Sequence, residues 1–387
     1  MRTSVLQLRR CLERSGHRRN LQRSMSAWRT TSMPERRAKV VVVGSGRMGQ
    51  IRSSLLFANP RFELAGVVDV NFDGAANLAQ SFRTRPYENI EEAVLDNKGD
   101  LDGVVVCSPT FTHEDVVTNA ASYGLDVFTE KPVDETADKI RHLFNVVEEA
   151  NIQLCCGFQR RFDNSYVSAT KSVHTGQIGK PVSASLFFAD HPCPPKEFLL
   201  NGGNIFMDLS AHDVDYIMHT LQDHVVSVYA TGTSSTEELE AAGVHDNATM
   251  MMRFSKGTVV TLFMSRSATY GYDQRCEIFG EEGLVSVGNE HKHSTTLSNQ
   301  AGIHQSNLKY SFPQRFHQAF GTELDAFADT VLLKEKWPVT AENCIMVQKV
   351  ADAADISCKS GQVVEIDYSD MVLDEQDVEP PAVAVGW

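Results

Sequence analysis

Residues 39–49 read KVVVVGSGRMG, and this stretch decides the first half of the fold. Lys39–Val43 is a short, largely apolar run of the kind that forms a strand buried on both faces. It passes directly into Gly44-Ser45-Gly46-Arg47-Met48-Gly49, a GxGxxG loop that opens a helical pattern. In that setting each glycine has a task. The first makes the tight turn, the second lets a pyrophosphate approach the backbone, and the third lets the helix pack on the strand. The phosphates then meet the unpaired amides and positive dipole end of the helix. Asp69 lies 20 residues past Gly49, at the end of the next strand pattern, where an acid accepts from both ribose hydroxyls. An acid there also disfavours a 2′-phosphate, so the expected cofactor is NAD rather than NADP.

Working outward, strand patterns recur at Glu63–Asp69, Leu101–Cys107, Asp126–Thr129 and Ile152–Cys156. Between them lie helical patterns at Met48–Ala58, Ala75–Phe82, Ile90–Leu95, His113–Tyr123 and Ala137–Ala150. This alternation predicts an α/β Rossmann domain over 39–160 with a doubly wound parallel sheet. Its cofactor lies at the carboxyl ends of the strands, which adds Ser108, Pro109, Thr110, His113, Glu130 and Lys131 to the loop residues and Asp69. Residues 161–372 change rhythm and predict an α+β domain with a mainly antiparallel open sheet. Strands fall at 182–189, 225–231, 248–254 and 258–265, the last two joined by a short Ser255-Lys256-Gly257 connection. A second hairpin is expected around Glu281–Gly283, one helix over Asp208–Thr220, and two closing helices at Gln314–Leu333 and Ala341–Cys358. Residues 373–387 read as a tail.

The net charge of −14 hides an asymmetry. Residues 1–38 hold ten arginines and two acids, a net +8, so −14 less +8 leaves −22 on the body. An acidic body argues against nucleic acid as a partner, because phosphate binding needs a basic surface. No apolar run approaches the roughly 20 residues that a membrane helix needs, so no membrane partner is expected. The leader is rich in Arg and Ser, with Val5, Leu8 and Leu12 at helical spacing. That pattern predicts a mitochondrial transit peptide and a matrix location; a bypassed extension would leave the protein cytoplasmic. None of the eight cysteines forms a CxxC pair, so they are expected as reduced thiols.

The chain resembles the glucose–fructose oxidoreductase / inositol dehydrogenase / rhizopine-catabolism family over about Lys39 to Cys358. The residues that carry the resemblance are GSGRMG at 44–49, CSPTFTH at 107–113, Glu130-Lys131-Pro132, and GGNIFMDLSAHDVD at 202–215. GFQRRFD at 157–163 and YGYDQR at 270–275 are similar to segments that line the sugar pocket of the inositol 2-dehydrogenase subgroup. The resemblance implies a catalytic group at Lys131, Asp208 and His212, and polyol contacts from Gln159, Arg160 and Tyr270 as well as from that group. One further contact usually comes from an Asn or Asp in the loop that here reads DHPCP at 190–194. The side chain that takes its place is open, with His191 the candidate.

The chemistry suits these residue types. Oxidising a carbinol removes the hydroxyl proton while hydride leaves, and a histidine near its ordinary pKa is a ready base. Asp208 and His212, four apart on a helix, would share a face, so the carboxylate could orient the imidazole. Lys131 would place a fixed positive charge beside the developing alkoxide. No third metal ligand has convincing spacing, so no metal is expected. The implied reaction is NAD-dependent oxidation of a ring secondary alcohol of a cyclic polyol, foremost myo-inositol to 2-keto-myo-inositol (scyllo-inosose). Another inositol isomer or a sugar is the alternative. A non-catalytic NAD- or sugar-responsive regulator is the distant one, since it would be expected to lack Lys131 or His212. The alternating apolar run Thr249–Met252 predicts a homodimer or homotetramer.

Overall fold

The computed structural model describes residues 36–202 and 204–371. The sequence-predicted leader, but for its last residues, and the tail lie outside the described residues. The first half alternates strand and helix: β1 (Ala38–Val43), α1 (Arg47–Ala58), β2 (Phe62–Val68), α2 (Phe72–Phe82), β3 (Arg85–Tyr87), α3 (Ile90–Asp96), β4 (Gly103–Val106), α4 (His113–Ser122), β5 (Asp126–Glu130), α5 (Ala137–Glu149) and β6 (Leu154–Gly157). The six strands pair in the order β3-β2-β1-β4-β5-β6, all parallel. β1 is central, and Val40 to Val42 are fully buried, as an apolar strand between two helical layers requires. The order reverses between β1 and β4, so the switch point opens beside the glycine loop. β3 escapes a pattern reading because it is three residues of edge strand with Pro86 at its centre.

The second half contains α6 (Asn164–His174), β7 (Pro181–Ala189), α7 (Lys196–Gly202), α8 (Ile205–Asp208), α9 (Ser210–Leu221), β8 (Val225–Thr233), α10 (Glu237–Ala241), β9 (Asn247–Phe254), β10 (Val259–Ser265), β11 (Asp273–Gly280) and β12 (Gly283–Val287). An exposed hairpin, β13 (Thr296–Asn299) with β14 (Gly302–Gln305), precedes α11 (Phe312–Arg315), α12 (His317–Leu333), α13 (Ala341–Ser360) and β15 (Val364–Glu365). Seven strands form a sheet in the order β12-β11-β7-β10-β9-β8-β15. Both predicted hairpins are present, β9 with β10 and β11 with β12. The sheet is mixed rather than wholly antiparallel, because β7 and β10 run parallel at its centre. One face packs on helices: Ala230 of β8 donates its N–H to Ser357 of α13 at 2.9 Å. The other alternates exposed residues, with Met251 outward and Met250 and Met252 inward.

Two differences from the sequence reading bear on the site. The helix expected over Asp208–Thr220 is two, with α8 ending at Asp208 and α9 beginning at Ser210. In addition, α12 belongs to the first sheet in space although it follows the second in sequence. Phe327 stacks near Phe62, with centroids 6.1 Å apart, and meets Phe128 at 5.6 Å. The Arg61 guanidinium holds Asp329 of the same helix. The two halves therefore share one continuous apolar core.

Candidate active site

The glycine loop has the shape that a dinucleotide needs. Gly44 adopts φ +103°, and a Cβ there would sit 2.7 Å from the Cys107 carbonyl carbon and the Ser108 amide nitrogen. A Cβ on Gly49 would lie 1.9 Å from the Gly44 oxygen, so only glycine lets α1 come this close. Above Gly46, by contrast, nothing lies within 4 Å of a Cβ, and no side chain caps the helix. That open space, flanked by uncapped amides, fits a pyrophosphate. Arg47 is exposed; its guanidinium stacks 4.6 Å over Phe312 and donates to Ser311 Oγ at 3.1 Å, while Met48 is half-buried.

Asp69 follows β2 directly and faces this loop. Its Oδ2 accepts from Ser45 N at 2.7 Å and Ser45 Oγ at 2.6 Å, and its Oδ1 accepts from Asn71 N at 2.9 Å. Partial burial would raise its pKa, but these hydrogen bonds outweigh that and hold it below the usual value. It is thus an ionised acceptor beside the loop, suited to ribose hydroxyls and repellent to a 2′-phosphate.

Of the β4 and β5 residues, Ser108 and Thr110 are half-buried and Pro109 is exposed. Ser108 Oγ lies 2.7 Å from Thr112 Oγ1. His113 is not open to a cofactor. It is buried, with Nε2 3.1 Å from the Ser108 carbonyl and Nδ1 3.0 Å from that of Val133, and so ties two loops together from inside. Glu130 likewise faces inward, accepting from Arg52 Nε at 2.6 Å. Lys131, joined to Pro132 by a cis peptide, faces the other way.

The Lys131 ammonium donates to the Asp208 carbonyl at 2.6 Å and to its Oδ1 at 3.0 Å. The Arg266 guanidinium, just past β10, holds Oδ2 of the same carboxylate. Burial would raise the Asp208 pKa, but the charges of Lys131 and Arg266 overwhelm it and keep the group ionised far below the usual range. The expected bond from Asp208 to His212 is not made. Both carboxylate oxygens are taken by cations, which offer stronger charge-assisted bonds than a neutral imidazole, and the buried Nδ1 of His212 has no hydrogen-bond partner. The His212 ring sits edge-on to Phe158, with centroids 6.1 Å apart. Burial first, then the Lys131 and Arg160 charges, push its pKa well below 6.5, against a smaller upward pull from Asp208. His212 is therefore a neutral acceptor across the physiological range, not a base poised near 7.

The expected pocket residues divide. Gln159 is buried. Arg160, expected as a polyol contact, is a core residue: 1% exposed, it binds Asp213 with Nη2 2.9 Å from Oδ2 and packs between Tyr166 and Phe188. His191 lies edge-on to Tyr310 at 4.8 Å, and Tyr270 is half exposed with its hydroxyl donating to Asp273 at 2.7 Å. A cleft of about 490 Å³ runs beside α1, lined by Arg47, Pro192, Tyr310, Ser311 and His317. A larger groove of about 980 Å³, between α5 and the start of α13, contains none of these candidates. Among the described residues, no group of three His, Cys, Asp or Glu side chains is placed to hold a metal ion. Sequence reasoning missed Arg266; the one signal for it was an arginine directly after the apolar run Val259–Ser265.

A Rossmann sheet, an uncapped glycine loop and an ionised carboxylate beside that loop define an NAD-dependent oxidoreductase. Comparison with known proteins agrees. Residues 38–158 match the oxidoreductase family's NAD-binding Rossmann fold, and residues 166–286 match the GFO/IDH/MocA C-terminal domain. The chain belongs to the GFO/IDH/MocA family. It is 31% identical to the scyllo-inositol 2-dehydrogenase (NAD(+)) of Bacillus subtilis, over 86% of this chain and 97% of that protein. It is 29% identical to an inositol 2-dehydrogenase of Rhizobium meliloti, over 81% and 94%. Scyllo-inositol dehydrogenase from Lactobacillus casei, solved with NAD(H) and scyllo-inositol, superposes with a TM-score of 0.80 at 27% identity, over 85% of this chain and 99% of that one.

An ionised Asp69 beside the glycine loop is expected to favour NAD over NADP. Asp69→Ala is expected to raise the KM for NAD by one to two orders of magnitude, about 1.4–2.8 kcal/mol of lost charge-assisted bonding. Steady-state kinetics with both cofactors checks this; equal use of NAD and NADP by the wild type would refute it.

Proposed function

We propose that this protein oxidises a ring secondary alcohol of a cyclic polyol, foremost myo-inositol to 2-keto-myo-inositol, with NAD as the hydride acceptor. The observation that carries this reading is the Lys131 ammonium, pinned by Asp208 and near enough to His212 for its charge to depress the imidazole. His212 accepts the hydroxyl proton. The hydride leaves the carbinol carbon for the nicotinamide, and the electron pair left on oxygen closes the carbonyl. Lys131 stabilises that oxygen while it carries negative charge. Asp208 anchors Lys131 instead of orienting His212. Relatives that act on myo- and on scyllo-inositol support the substrate class, and the scyllo isomer is the second candidate.

NADH formation across inositol isomers and common aldoses tests the proposal; no turnover with any of them would favour a regulator. His212→Ala is expected to lower kcat by about 10² to 10⁴ with NAD affinity little changed. The low His212 pKa also sets the pH profile. Its neutral form persists as pH falls through 6.5, so the acid limb of kcat/KM lies below that value. Asp208→Asn removes the one upward pull on His212 and moves the limb lower still. An acid limb at or above 6.5 would argue against His212 as the base.

The outer face of the seven-stranded sheet supports self-association. It exposes Tyr229, Met251 and Phe279 and carries the stacked pair Phe187–Phe263, a patch costly to leave in water. Light scattering should show a dimer or tetramer at micromolar concentration, and a single-chain mass would refute this. The composition of residues 1–38 supports mitochondrial import in a eukaryotic host. A fluorescent protein fused to those residues should enter mitochondria, and a diffuse cytosolic signal would refute that.

A further inference from the structure

Arg52 stands on α1, the helix that the glycine loop opens, yet its guanidinium is fully buried. It lies 4.6 Å from the Phe128 ring centroid and 4.7 Å from that of Phe320. Its Nε donates to Glu130 Oε1 at 2.6 Å, and its Nη2 donates to Glu323 Oε2 of α12 at 2.7 Å. Arg52 and Glu323 have no exposed side-chain surface and Glu130 retains 16%. Arg52 Nη1 and Glu323 Oε1 are buried without partners. A buried ionic cluster with unmet bonds is a poor device for stability, because desolvation offsets much of the attraction. What this cluster does achieve is to fix Glu130, the residue before Lys131.

Glu130 is the last residue of β5, and its carboxylate is held on the α1 side. Lys131 follows in the bend just past the strand and reaches to Asp208. We propose that Arg52 and Glu323 are positioning residues that aim Lys131 at the reacting alcohol by clamping Glu130. The clamp joins three separate elements, α1, β5 and α12, so the cofactor-loop helix and the lysine move as one body. This rests on the reading of Lys131 as serving the reaction.

The test measures kcat, the KM for NAD and thermal stability for Arg52→Met, Arg52→Lys and Glu323→Gln, with Lys131→Met in parallel, in the full-length protein with myo- and scyllo-inositol. Arg52→Met should lower kcat by about 10²-fold, the scale expected when a reacting group is displaced by an ångström, and leave the KM for NAD within a few fold. Arg52→Lys keeps the charge but has a single attachment point, so it should recover part of that loss. Glu323→Gln is nearly isosteric and should fold even where Arg52→Met does not; a loss of kcat of at least about 10-fold is expected there. Folded Glu323→Gln and Arg52→Lys proteins with kcat within twofold of wild type would overturn the proposal. So would equal losses in kcat and NAD affinity, which mark general loosening. Full activity in Lys131→Met would instead overturn the role given to Lys131. Loss in Lys131→Met beside full activity in the clamp variants would remove the clamp alone.

Discussion

The Asp208 carboxylate is shared between two cations, Lys131 on Oδ1 and Arg266 on Oδ2, and the behaviour of the pocket follows from that division. A second acid, Asp190, lies within reach of both Asp208 and Arg266, and burial raises its pKa. Of these charges, that of Lys131, with Arg160 behind it, helps hold the neighbouring imidazole neutral. Behind β5 the single guanidinium of Arg52 stands between two carboxyl side chains, and burial pushes that of Glu323 up to about 7. Glu130 and Lys131, adjacent in sequence, are therefore drawn in opposite directions by partners of opposite sign.

These partners come from distant parts of the chain. Arg52 follows the first strand, Glu130 and Lys131 end the fifth, Asp208 and His212 straddle a break between two short helices, and Arg266 leaves the central pair of the second sheet. Each lies at the end of an element or on a buried helix face, where packing fixes the backbone and little freedom is left to the side chain.

What could be read from the sequence was local. GSGRMG at 44–49 and Asp69 are separated by one βαβ unit, so the turn, the helix entry and the facing acid follow from spacing alone. Both hairpins of the second sheet are likewise marked by their own turn residues. Long-range pairing left weaker marks. The parallel pairing of β7 with β10 joins segments more than 70 residues apart and produces no local pattern. Asp208 and His212 were legible as a pair but not as to what each binds, because the competing partner, Arg266, lies 58 residues beyond Asp208. Arg160 looked like a pocket residue because nothing in its own segment reveals Asp213, which binds it from 53 residues later.

The return of α12 to the first sheet limits how this protein can be recombined. A chimera that joins residues 38–158 to the second half of a relative would set a foreign helix against Phe62 and Phe128, and would leave Arg61 without Asp329. The unit of exchange is therefore discontinuous: the first 120 or so residues of the body together with residues 317–333. Substitutions on either side must stay matched across that seam, so the two halves are not interchangeable cassettes.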